Sequence, residues 1–391
     1  MKELSQLLNG IPGSVTVSVN EKAKAMQAAG LDVISLAGGD PDFDTPNHIV
    51  EAAVSAIRAG KTHYPAPTKG TPEVMEAIAR KTARENRITV DSKSDVIVTP
   101  GSKWALFLAL AAVVNPGDEV LYLEPAWVSY PPMIRLVGGR PVAVSLPAEN
   151  NFTISEELLS KAISHKTKAL LINSPNNPTG RVLRREEVEV VTSTALKHNL
   201  FVIADEVYEK LIYEDRPHYS IGAEAKMAER TITTNGLSKG YAMTGWRLGW
   251  LVGPTEIIKL AAKFNSHSIT SAAAFTMSAA VAALNGPQEA IEEMRRAYQD
   301  RRDFMLSAIR GIDGIECQSP EGAFYLFPRF TQTEMDSLTL SESLLKQAGI
   351  AATPGIAFGA SGEKHLRFSY ATAMSDLEQA AERLARVVPR L

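Results

Sequence analysis

Cysteine is nearly absent from this chain. Cys317 stands alone among 391 residues, so no intrachain disulfide forms and a reducing cytoplasm is the expected setting. No apolar run approaches the roughly 20 residues a membrane-spanning helix needs. The opening stretch, MKELSQLLNGIPGS, lacks the apolar core of a secretion signal. An excess of one charge sign is missing too. Forty-one Lys and Arg against 44 Asp and Glu leave a formal net charge of −3, which gives no argument for nucleic-acid or membrane partners. The seven His and one Cys fall in no metal-ligand spacing. There is no Gly-x-Ser-x-Gly elbow, no Walker-type loop and no dinucleotide fingerprint after a strand. Internal repeats and low-complexity tracts are absent as well. What remains is the composition of an ordinary globular protein, 45% hydrophobic and 22% charged, long enough for two domains with a buried core.

Strand-like and helix-like patterns alternate along most of the chain. Strands are expected at Asp95 to Val98, Glu119 to Leu123, Arg140 to Leu146, Thr167 to Ile172, Phe201 to Ala204 and Thr231 to Thr234. Helices are expected at Asn20 to Ala29, Asn47 to Ala59, Thr71 to Asn86, Trp104 to Val114, Ile154 to Ala162, Arg184 to His198 and Pro254 to Phe264, with another opening at Pro125 to Tyr130. Such alternation implies a largely parallel sheet with both faces covered. A long charged helix from Pro287 to Ile312 then leads into a part of different style. Short strands there (Ile315 to Gln318, Ala323 to Phe327, Ile350 to Thr353, His365 to Ser369) mix with helices at Ser341 to Ala348 and Met374 to Val388.

The most informative stretch is Asn235-Gly236-Leu237-Ser238-Lys239-Gly240-Tyr241-Ala242-Met243-Thr244-Gly245-Trp246-Arg247. A β-branched run precedes it and the apolar run Leu248 to Val252 follows, so Lys239 sits on a turn between two strands. Gly240 and Gly245 let the backbone pass close to a bulky group. Desolvation of an ammonium in such a place favours the neutral amine, and a neutral lysine forms a Schiff base with an aldehyde such as pyridoxal 5'-phosphate. Ser238 and Arg247 offer a hydroxyl and a guanidinium to a phosphate. A solvated loop lysine near an unrelated arginine fits this stretch equally well when it is read by itself.

Ser238-Lys239 followed by Gly245-Trp246-Arg247-Leu248-Gly249 resembles the cofactor-lysine motif of the class I aminotransferases, and in particular the I-gamma aspartate aminotransferase subgroup. Further matches run from about Ser14 to Tyr370. The resemblance implies an α/β protein of the PLP-transferase fold type I. Its large domain (46–287) would hold a mostly parallel seven-stranded sheet covered by helices, and both chain ends (1–45 and 288–391) would build a smaller α+β domain. It implies a homodimer with shared active sites, amino acid and 2-oxo acid substrates, and pyridoxal 5'-phosphate as cofactor.

Site residues follow from the same matches. Thr99-Pro100-Gly101-Ser102-Lys103, a glycine-containing turn from strand to helix, is an anion site by geometry and would join Ser238 and Arg247 around a phosphate. Lys103 either decorates the start of that helix or, by resemblance, binds the distal carboxylate of a substrate. Tyr64, between His63 and Pro65-Ala66-Pro67, matches the tyrosine that reaches the neighbouring subunit's phosphate site. Trp127 matches a ring-stacking tryptophan; otherwise it is a core residue. Asn177, in Asn173-Ser174-Pro175-Asn176-Asn177-Pro178-Thr179-Gly180 just past a strand, matches a donor to the cofactor's phenolic oxygen. Tyr208 matches a second donor, three residues beyond Asp205 and so on the same side of a helical turn.

Asp205 at a strand end is the candidate carboxylate for a protonated pyridine ring, or else a helix N-cap. Adjacent Glu206 is its competitor, discounted because neighbouring residues point to opposite sides. Gly39, in Gly38-Gly39-Asp40-Pro41, lies in a plain loop when read alone or, by resemblance, in the strip that closes over the substrate carboxylate. An arginine inside an apolar strand, Arg367, needs an anion. Its fork suits a carboxylate, either an internal Asp or Glu or, by resemblance, the substrate. His267 tempts as an acid or base but is not needed once Lys239 is free. Aspartate with 2-oxoglutarate is the first substrate pair expected. Prephenate, aromatic or alanine transamination, or lyase chemistry on the same fold, are the alternatives.

Overall fold

The computed structural model describes residues 3–391. A seven-stranded sheet runs through its centre, in the spatial order Val96–Thr99, Gly249–Val252, Thr231–Gly236, Phe201–Asp205, Thr167–Asn173, Glu119–Glu124, Arg140–Ser145. Six of these strands are mutually parallel, and Gly249–Val252 opposes both of its neighbours. That strand follows Thr231–Gly236 without a crossover helix, and strands joined directly across a turn pair antiparallel. Lys239 lies in that connection.

Side chains alternate along each strand, so successive residues enter different cores. Ile97, Leu171, Ile203 and Leu251 pack beneath the helices Ser102–Val113 and Thr255–Ser266. On the other face, Val96, Val98, Trp250 and Val252 meet Ile78 and Met277, while Leu170, Ile172 and Val202 meet Val188 and Val191. Both faces are therefore apolar, which is why these strands read as unbroken hydrophobic runs. A further core gathers Tyr298, Met305, Ile309, Phe324, Leu344, Phe368 and Leu384. It packs helices Glu289–Arg310, Ser337–Ala348 and Met374–Val387 on short strands, among them Tyr325–Leu326, Thr353–Pro354 and Leu366–Ser369. The strand Ile34–Ser35 joins this region by pairing with Ile350–Ala351. Among the described residues, no helix is long and apolar enough to cross a membrane.

Several elements differ from expectation. The helix expected from Asn20 runs Val15–Ala28 and so takes in Val15, Thr16 and Val17, with Ser14 as its N-cap; its single buried residue, Ala23, explains why its periodicity is faint. Thr71 to Asn86 divides into an α-helix, Pro72–Lys81, and a wider turn, Thr82–Asn86, that brings Asn86 into a buried polar cluster. The helix after Trp127 is Tyr130–Leu136, with the two prolines in its first turn, where no N–H is required. Ser337–Ala348 begins four residues early because the Asp336 carboxylate accepts from the amide of Thr339 at 2.7 Å. No helix follows Asp205, so that residue is no N-cap; a turn carries the chain from there to Tyr208.

Candidate active site

Parallel strands end at Thr99, Glu124, Asn173, Asp205 and Gly236, and a cavity of about 550 Å³ opens at this edge, the usual place for a ligand on such a sheet. One end of it is shaped by missing side chains. Gly101 has φ +90°, and a Cβ there would lie 2.4 Å from Arg247 Nη2. A Cβ on Gly236 would lie 2.4 Å from Ser102 Oγ, and one on Gly249 would lie 2.5 Å from the Ser102 amide nitrogen. Ser102 thus opens its helix inside a notch of three glycines, and its buried hydroxyl has no partner. Arg247, itself in the left-handed region at φ 53°, donates to the Thr244 carbonyl at 2.8 Å.

Lys239 projects into the same cavity and donates to the Gly39 carbonyl. Burial pulls its pKa down to about 8. Asp40 works against that, while Arg367, Arg247 and Lys103 push the same way as burial. Asp205 ends its strand facing the cavity. Tyr130 donates its hydroxyl to Asp205 Oδ2 at 2.7 Å and the Val207 amide donates to Oδ1 at 3.3 Å. Burial raises the Asp205 pKa to about 6 in spite of these donors, with Glu206 adding to the rise and Lys239 opposing it. The carboxyl stays mostly ionised at neutral pH.

At the opposite end, Arg367 donates through Nη1 to Asn177 Oδ1 at 3.0 Å and through Nη2 to the Ala37 carbonyl at 2.8 Å, while its buried Nε has no partner. Its guanidinium lies 4.3 Å from the centre of the Tyr325 ring. No carboxylate among the described residues pairs with it, so the internal counter-ion considered from sequence does not exist. Burial lowers its pKa, with Tyr325 and Tyr208 opposing. Tyr208 and Tyr325 share a hydroxyl contact of 3.0 Å. Burial first, then Tyr325, pushes the Tyr208 phenol well above its usual range, so it remains a proton donor. Lys103 Nζ sits 4.8 Å over the Trp127 ring, and burial followed by Arg247 lowers its pKa.

Gly39, Ser102, Lys103, Trp127 and Asn177 all border this one cavity, as do Asp205, Tyr208, Ser238, Lys239, Arg247 and Arg367. Gly101 lies just beneath, against Arg247. Tyr64 is not brought in; it is 80% exposed on the surface of the chain. His267 is exposed and away from the cavity, and Glu206 turns instead to Asn86 and Ser220. Sequence reasoning missed Tyr130, Tyr325, Asn173 and the helix wall made by Thr16, Val17 and Lys24. A signal for Tyr130 was present, because it stands three residues after Trp127, the span of a single turn, which the Tyr130 amide closes by donating to the Trp127 carbonyl at 3.1 Å; their rings meet edge to face at 5.4 Å.

The family model for aminotransferase class I and II matches residues 31–384. The chain belongs to that family. It is an amino-acid aminotransferase with the type I fold of the PLP transferases. Relatives match over nearly their whole length. An aspartate aminotransferase of Musicola paradisiaca is 42% identical over 99% of this chain and 97% of its own. An aspartate/prephenate aminotransferase of Thermus thermophilus is 43% identical over the full length of both. The solved structure of the Thermus thermophilus aspartate aminotransferase with maleate superposes with a TM-score of 0.94, at 42% identity, covering 99% of this chain and 100% of that one. The class I aminotransferase resemblance read from the sequence is thereby shown for the chain as a whole.

Proposed function

We propose that this aminotransferase moves the amino group of an L-amino acid, aspartate foremost, to a 2-oxo acid such as 2-oxoglutarate, with pyridoxal 5'-phosphate as its cofactor and a ping-pong cycle. The observation that carries the reading is charge imbalance. Lys103, Lys239, Arg247 and Arg367 border one cavity, and none makes an ion pair with a carboxylate of the described residues. A site that gathers unpaired cations around about 550 Å³ suits a ligand carrying a phosphate and carboxylates.

The residues fit that cofactor. The unpartnered Ser102 hydroxyl, the helix N-terminus behind Gly101, Ser238 and Arg247 would hold its phosphate. Trp127 would flank its ring, and Asn177 and Tyr208 would donate to its phenolic oxygen. Asp205, mostly a carboxylate at neutral pH, would keep a proton on the ring nitrogen. Bound there, the cofactor supplies an electron sink for the charge left when a substrate Cα–H bond is broken. Arg367 holds the α-carboxylate, with Gly39 closing over it. Lys239, with a pKa of about 8, is partly neutral at physiological pH, and its Nζ takes the Cα proton. Lys103 receives a distal carboxylate, which suits aspartate and accords with the maleate named for the Thermus structure. Prephenate as acceptor is the second reading, favoured by the name of the other Thermus relative.

We infer also that two copies pair, with Tyr64 of one completing the phosphate site of the other. An 80% exposed tyrosine beside Pro65 supports this, as does the partly open cluster of Trp104, Phe107 and Phe264 next to Lys103. The division into a 46–287 domain and a 1–45 plus 288–391 domain, and a cytoplasmic setting, belong to the same reading. The test is a set of single-turnover half-reactions with a panel of amino acids, following loss of the cofactor's visible absorbance. Aspartate reacts fastest if the assignment is right. If no amino acid discharges the absorbance, transamination with this cofactor is excluded.

A further inference from the structure

The turn after Asp205 carries a second buried cluster of charges, none of which borders the cavity. Glu206 and Glu209 flank Tyr208, and their side chains are only 3% and 7% exposed. Asn86 donates to Glu206 Oε2 at 2.8 Å and to Glu209 Oε2 at 2.5 Å, and the Ser220 hydroxyl donates to Glu206 Oε2 at 2.8 Å. Lys81 is bound to Glu209, donates to Asn86 Oδ1 at 2.7 Å and lies 3.4 Å from Glu85. Glu85 also meets Lys210 at 2.8 Å. His218 Nε2 closes the cluster, 3.1 Å from Glu206 Oε2 and 3.9 Å from Glu209 Oε2. Glu206, Glu209 and His218 lie within 4.8 Å of one another, a spacing also found at metal centres, but Lys81 against Glu209 already supplies positive charge.

The placement of the charges decides what His218 does. Glu85 is met by Arg84 at 2.7 Å as well as by Lys210, and Lys81 sits on Glu209, so the carboxylate left without a lysine or arginine is Glu206, and the His218 imidazole is the one cationic group within 4 Å of it among the described residues. We propose that His218 is a positioning residue for transamination: its imidazolium, held between Glu206 and Glu209, cancels the negative charge adjoining Asp205 and so keeps Asp205 ionised. The proposal rests on the reading of Asp205 as the carboxylate that faces the cofactor ring.

The electrostatics point the same way. Burial pulls the His218 pKa down, but Glu206 and then Glu209 outweigh it, against an opposing effect from Lys81, and the net shift is upward. The charged and polar groups acting on Asp205 are Tyr130, the Val207 amide, Glu206 and Lys239, with Tyr208 nearby. Of these, Glu206 adds to the rise that burial causes. Removing the imidazolium frees the Glu206 charge to act on its neighbour at full strength, and a like charge disfavours ionisation. The same network grips both sides of Tyr208, so it also fixes the turn that delivers that phenol.

The test needs no cofactor. Full-length protein labelled with ¹³C-aspartate is titrated by NMR, the Asp205 carboxyl being assigned by its absence in D205N. In H218Q the Asp205 midpoint is expected to rise by about half a pH unit or more, in H218K to stay near the parent value, and in E206Q to fall. An unchanged midpoint in H218Q, or a raised one in H218K, overturns the proposal. Should H218Q not fold, the double variant H218Q/E206Q decides: a midpoint at or below the parent supports the coupling and a higher one refutes it. A loaded enzyme that tolerates D205N would remove the role of Asp205 yet leave this coupling intact, so the two failures are separable.

Discussion

Two groups of cations near Tyr208 obey opposite rules. Around Lys81, every charge faces an opposite one: Lys81 binds Glu209 and Asn86 and lies near Glu85, and His218 Nε2 lies 3.1 Å from Glu206. Around Lys239, Arg367, Arg247 and Lys103 the protein supplies carbonyls, hydroxyls and aromatic faces but no carboxylate in contact. Burial of charge is costly without compensation, and buried Arg367 keeps an Nε without a partner while Lys103 and Arg247 are open to solvent, so the second cluster is suited to receiving anions. The difference separates architecture from function more sharply than residue type does, since a lysine stands at the heart of each.

Substitutions break the comparison in opposite directions. K239A is expected to lower turnover by on the order of 10⁴-fold or more, as for loss of other essential nucleophiles and bases, while the urea midpoint of the protein without cofactor holds or rises. A fall in that midpoint comparable to the one at Lys81 would contradict the distinction drawn above. K81M is expected to do the reverse: about 3–5 kcal/mol lost from stability, because it strands Glu209 in the interior, measured by equilibrium urea unfolding. R367K keeps the charge but loses the planar fork; kcat/KM for dicarboxylic substrates should drop on the order of 10²-fold, with thermal stability little changed. The smallest effect is a pH dependence. Burial works to raise the Glu209 pKa, but Lys81 and His218 overcome it and hold the carboxyl at about 2 against an ordinary 4.5. A depressed carboxyl stabilises the fold above its unfolded pKa. That contribution fades as pH falls from about 4.5 towards about 2, and E209Q should flatten the unfolding curve over the same interval.

Much of this was readable in the chain because strand ends and glycine turns leave local marks. The parallel sheet followed from strands alternating with helices, and Lys239, Asp205, Asn177 and Arg367 each sat just past a strand end or where an apolar strand held a charge. What stayed hidden depends on contacts between distant segments. Tyr325 looks like any core aromatic until its ring is seen against Arg367. Tyr130 gains its meaning from Asp205, 75 residues on. The Val15–Ala28 helix hides its role because its hydrophobic pattern is weak and it buries a single residue. Asn86 was read as the tail of a helix, yet the wider turn there aims its amide at Glu206 and Glu209.

The glycine notch that receives Ser102 has a bearing on how such a molecule can diversify. At Gly101, Gly236 and Gly249 the wall is main chain, and even a methyl group would collide with Arg247 or Ser102. That corner offers mutation almost nothing to adjust. The facing wall, where Thr16, Val17 and Lys24 join Lys103, is made of side chains on helices and is free to change size and charge. A lineage built on this frame would keep one grip constant and try out new substrates at the other.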